Sequence, residues 1–90
     1  MNEREIILRE ITNIVTELGV VNVPIVLERP GDMSHGDWAS PVALSIASRL
    51  GKNPREIADH IAELILKKNI PYIASVSVAD PGFVNIFLTK

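Results

Sequence analysis

Ninety residues, 47% hydrophobic and 22% charged, fall within the range of a small soluble domain and far from the composition of a disordered chain. The chain has no cysteine, which excludes a disulfide framework and a thiolate zinc site, and its net charge of −2 excludes a broad cationic field for nucleic acid. No stretch approaches the ~20 apolar residues of a membrane span, and the charged start leads into an amphipathic pattern, so a cytoplasmic protein with no membrane partner is expected.

Over residues 2–18, Ile7, Ile11, Ile14 and Leu18, flanked by Leu8 and Val15, recur at the spacing of one helical face, with Arg9, Glu10, Asn13 and Glu17 opposite. Gly19 is the expected stop. Residues 20–28 are rich in Val, Ile and Leu, contain Pro24 and run into Arg29-Pro30-Gly31-Asp32, which predicts a short edge strand left through a turn. After a loop over 33–38, Ser40 as cap and Pro41 at the first helical position predict a second helix to about Leu50. Its stripe is Ala43, Ile46, Ala47 and Leu50, and Gly51 ends it.

Asn53 and Pro54 repeat the cap-and-proline device and open a third helix striped by Ile57, Ile61, Leu64 and Ile65, closed by Lys67, Lys68 and Asn69. Past Pro71, Ala74, Val76 and Val78 alternate with Ser75 and Ser77 as in a half-buried strand, and Asp80-Pro81-Gly82 is a turn. Residues 83–88 form a last strand. The expected fold is therefore one α+β domain over residues 1–90: an antiparallel sheet of three or four strands packed on one face by about three helices.

That last strand has two readings. If Val84, Ile86 and Leu88 face the core, then Phe83, Asn85 and Phe87 share the opposite face and offer two stacking rings and an amide, the tools of single-stranded RNA recognition. With the reverse parity, or with a helix over that face, both phenylalanines are core residues and Asn85 satisfies a turn. Arg49, Lys52 and Arg55 cluster where the second helix meets the third and are candidate phosphate contacts, although cations at helix ends also serve the dipole.

The loop His35-Gly36-Asp37-Trp38 holds half of an acid–base pair and no nucleophile, so its expected role is structural: Asp37 capping a turn or the second helix, Trp38 packing, His35 bonding backbone. His60, near Glu56, Asp59 and Glu63, is one imidazole among solvated carboxylates and predicts no metal site. Gly31 and Gly36 match no phosphate-cradling pattern, so no cofactor is expected in this chain and no catalytic residue is assigned.

Three runs resemble, in order and spacing, the N-terminal domain of arginyl-tRNA synthetases: His35-Gly36-Asp37-Trp38-Ala39 through Leu44, Gly51-Lys52-Asn53-Pro54-Arg55-Glu56-Ile57-Ala58, and Asp80-Pro81-Gly82-Phe83-Val84-Asn85-Ile86-Phe87-Leu88. The resemblance spans nearly the whole chain. It implies an α+β module in front of a catalytic domain of the same parent chain, contacting the D-loop of tRNA(Arg) while that parent uses ATP to attach arginine. It further implies base contacts at Phe83, Asn85 and Asp80, on the strand that also carries Phe87. The parent's ATP- and arginine-activating motifs and its anticodon-binding domain have no counterpart in residues 1–90, so the chain is not expected to aminoacylate alone. A free-standing protein-interaction adaptor is the alternative that the acidic balance favours.

Overall fold

The computed structural model describes residues 2–31 and 33–89, excluding the side chain of Met33; Asp32, assigned by the sequence to the turn after residue 28, lies outside the described residues. Among them run α1 (Glu3–Glu17), a single 3-10 turn (Met33–His35), β1 (Trp38–Ser40), α2 (Val42–Leu50), α3 (Pro54–Lys67), β2 (Ile73–Ala79) and β3 (Phe83–Leu88). The α+β architecture is as expected, with three strands and three helices.

The helices start and stop where local chemistry dictates. Asn2 accepts a hydrogen bond from the Glu5 amide at 2.9 Å, and Glu3 and Glu5 place anions at the positive end of α1. Asn53 accepts from the Arg55 amide at 2.8 Å, with Pro54 in the first turn of α3. At the other ends, Gly19 (φ +94°) and Gly51 (φ +65°) take the left-handed conformation that closes α1 and α2. Each helix buries one stripe: Ile7, Ile11, Ile14 and Val15 from α1, Val42, Ala43, Ile46 and Ala47 from α2, and Ile57, Ala58, Ile61, Ala62 and Ile65 from α3. Small alanines on α2 and α3 let these two helices lie close together beneath the sheet.

β3 is the central strand, antiparallel to both neighbours in the order β1-β3-β2. Trp38, Ala39 and Ser40 pair with Ile86, Asn85 and Val84, while Ser77, Val78 and Ala79 pair with Asn85, Val84 and Phe83. Val84 and Ile86 are fully buried among the helices, which fixes the parity of the strand.

Three expectations need correction. Residues 20–28 form no strand: only Glu28 pairs, with Ala39, through two 2.8 Å backbone hydrogen bonds. Asn22 at φ +60° and the missing N–H of Pro24 interrupt any ladder, and the segment instead buries Val20 and Leu27 singly. A strand, β1, occupies 38–40, where a loop and a helix cap were expected. Ser40 is consequently its last residue, and α2 begins one position later at Val42, with Pro41 at the cap; the Ser40 hydroxyl still accepts from the Val42 amide, at 3.3 Å.

A candidate nucleic-acid interface on the open sheet face

Directly paired residues in antiparallel strands project to the same side of a sheet. The Glu28–Ala39, Ala39–Asn85 and Asn85–Ser77 pairings therefore lay one row across the face away from the helices. Phe83 and Phe87 stand on the same face, two residues to either side of Asn85 along β3. The core-facing reading of Val84 and Ile86 is the one the packing selects, and no described helix covers the opposite face.

Asn85 is only 5% exposed, yet its side-chain amide has no hydrogen-bond partner among the described residues. The amide keeps its solvent contact: among the described residues the one fully buried side-chain polar atom without a partner is Trp38 Nε1. The amide does not face sealed core: it lines a cavity of about 370 Å³ whose walls include Phe83, Asp80, Ala79 and Ala39. Glu28, Pro30, Gly31 and His35 close its other side. A cleft of this size and mixed lining suits a small planar ligand.

The structure brings together three of the four strand residues singled out from the sequence. Asp80, Phe83 and Asn85 share the cavity, whereas Phe87 lies on the same face outside it. Asp80 is held by Arg55, whose Nη1 donates to its carboxylate at 2.6 Å while Nε lies 3.5 Å from Asp59. The hydrogen bond and charge of Asp80, with a smaller contribution from Asp59, push the Arg55 guanidinium further above its already high pKa. The anion at the mouth of the cavity is thus paired. Gly82 sets the same turn against the helices, since a Cβ there would lie 2.9 Å from the Pro54 Cβ and 3.3 Å from Leu44.

The basic junction is divided among three places. Arg55 reaches the cavity rim through Asp80, Arg49 donates to the Val21 carbonyl at 3.3 Å, and Lys52 lines a separate hollow with Leu18, Glu56 and His60.

The His-Gly-Asp loop is structural, but not as a cap of the second helix. Gly36 (φ +88°) passes so close to β3 that a Cβ would lie 2.7 Å from the Ile86 carbonyl oxygen. Asp37 then extends the ladder where β1 stops: its amide donates to Ile86 O at 2.9 Å, and its Oδ2 accepts from the Leu88 amide at 2.8 Å. This pinning carries the exposed His35 to the cavity wall. Trp38 packs as expected, buried beneath Arg29, whose guanidinium lies 4.6 Å from the ring centre.

Sequence reasoning missed Glu28, Ala39 and Ala79 as parts of the site. An isolated bridge such as Glu28–Ala39 leaves no periodic signal, and alanines carry no chemistry of their own to flag.

These features define a helix-backed antiparallel sheet with an uncovered polar and aromatic face. Residues 3–88 match the family model of the arginyl tRNA synthetase N terminal domain, and the chain belongs to that family. It is 43% identical over 70 residues to an arginine–tRNA ligase of Micrococcus luteus, a match covering 78% of this chain and 12% of the relative. An arginine–tRNA ligase of Herminiimonas arsenicoxydans is 45% identical over 71 residues, 77% of this chain and 12% of its own length. The solved arginyl-tRNA synthetase of Thermus thermophilus superposes with a TM-score of 0.76 over 98% of this chain and 14% of that one, at 23% identity, which shows the shared fold. The chain thus spans about one-eighth of the relatives it matches. No described helix is long and apolar enough to cross a membrane.

Proposed function

We propose that residues 1–90 act as one tRNA-docking module of an arginine–tRNA ligase, reading a nucleotide in the D-loop of tRNA(Arg) on the outer face of β3. The observation that carries this reading is Asn85, a largely buried residue on the outer strand face whose amide is held by no described residue and opens into the cavity. A carboxamide both donates and accepts, so it can meet a base edge, and the flanking Phe83 ring supplies a stacking surface. Phe87 extends the apolar platform to the next nucleotide. Arg55 meets phosphate at the rim, while the low net charge leaves most of the electrostatic affinity to the rest of the synthetase. The partners are then tRNA(Arg) and a catalytic domain of the same parent chain, which consumes ATP and arginine in the cytoplasm.

In the complete synthetase carrying this domain, Asn85→Ala is expected to lower kcat/KM for tRNA by about 1–3 kcal/mol, the scale of an amide–base contact, without changing KM for arginine or ATP. Unaltered tRNA kinetics would contradict the reading.

A further inference from the structure

The two edges of the sheet are not alike. β1 is screened along its free side by the Glu28–Ala39 bridge, whereas among the described residues no backbone group of 75–79 in β2 bonds outside the β2–β3 ladder. Free strand edges attract other strands, and folded proteins blunt them with lysines, prolines or bulges. β2 carries neither charge nor proline from Ile73 to Ala79, and its one irregularity lies at the start, between Ile73 and Ser75. The stretch beyond it, Ser75-Val76-Ser77-Val78-Ala79, pairs residue for residue with β3. Ser75 and Ser77 are exposed there, and Val76 and Val78 stand half-buried at the rim of the core.

We infer that this edge pairs with the β2 edge of a second copy of the chain, antiparallel about a two-fold axis at Ser77. A two-fold axis normal to the sheet sets residues of the same face opposite each other, so one residue must meet its own copy at the centre. Ser77 is the middle of the unbroken stretch. Centred there, Ser77 opposes Ser77, Val76 opposes Val78 and Ser75 opposes Ala79, which uses every position. The valines then continue the apolar layer above the helices, and the small residues continue the open face. An axis at Val76 or Val78 shortens the ladder and runs it into the irregularity or into the Asp80 turn. A strand of unrelated sequence would have to reproduce this order of faces, whereas a second copy supplies it by symmetry. Five residues a side is far below the roughly 20–30 of a standard interface, so the contact is weak and reversible.

The chain has no cysteine, so one introduced thiol reports the geometry without ambiguity. Ser77→Cys sets two thiols directly across the axis with Cβ atoms ~4.5–5.5 Å apart, near disulfide range, whereas Ser75→Cys, equally exposed on the same face, leaves them ~13 Å out of register. On oxidation by dioxygen, Ser77→Cys is expected to give mostly covalent dimer and Ser75→Cys little. In sedimentation equilibrium, wild type is expected to pass reversibly from monomer to dimer between about 10 µM and about 1 mM. Ser77→Lys, which opposes two ammonium groups at the axis, is expected to stay monomeric with an unchanged far-UV spectrum. A wild-type monomer throughout, species growing beyond dimers, association that survives Ser77→Lys, or equal cross-linking at the two serines would each overturn the pairing.

Discussion

The two faces of β3 present successive residues to opposite demands. Ile86 is fully buried, apolar, and part of the core cluster to which all three helices and Trp38 contribute. Asn85, its neighbour in the chain, is almost as buried but has no partner for its amide. Packing accounts for Ile86: a branched apolar side chain fills space and leaves water. Nothing in folding calls for a carboxamide on the outer face, where a Thr or Val would fit a strand better. A residue that stability does not explain is a residue to test for binding.

Substitutions can break this contrast. The largest effect is expected from Ile86→Ala, which opens a cavity against the helices and should cost about 2–5 kcal/mol, read as a large fall in Tm. Gly36→Ala comes next: a Cβ pressed against the Ile86 carbonyl, on a residue at φ +88°, should cost about 1–3 kcal/mol in a denaturant melt. Asn85→Ala should change stability by less than ~1 kcal/mol, because the lost amide has no internal bond to break. Phe83→Ala sharpens the distinction: as a stacking platform the ring contributes about 1–3 kcal/mol to binding with only a modest fall in Tm, whereas a core ring would cost ~3–5 kcal/mol of stability. The smallest effect is expected from Asp80→Asn, whose ion pair with Arg55 is solvent-exposed, so Tm should barely move.

How much of this was legible depended on distance along the chain. α1 and α3 were readable because stripe and caps repeat within each helix, as in Asn53-Pro54 followed by Ile57, Ile61 and Ile65. Residues 20–28 misled because apolar composition signals burial, not pairing, and the segment buries Val20 and Leu27 without a ladder. β1 was hidden by its length, three residues buried on both faces and therefore without alternation. The outer strand face was half legible: period two grouped Phe83, Asn85 and Phe87, but only the helices packed on Val84 and Ile86 decided which group faces out. The Glu28 bridge and the Arg55–Asp80 pair join residues 11 and 25 positions apart, beyond any local pattern.

The central claim, that the outer face of β3 meets RNA, is tested most directly by mapping amide chemical shifts of the chain as tRNA(Arg) is added. The account predicts that the largest changes fall on Phe83, Asn85 and Phe87, on their cross-strand neighbours Ala39 and Ser77, and on the Asn85 side-chain amide itself. Changes confined to the helical side, around Lys52 and His60, would contradict it.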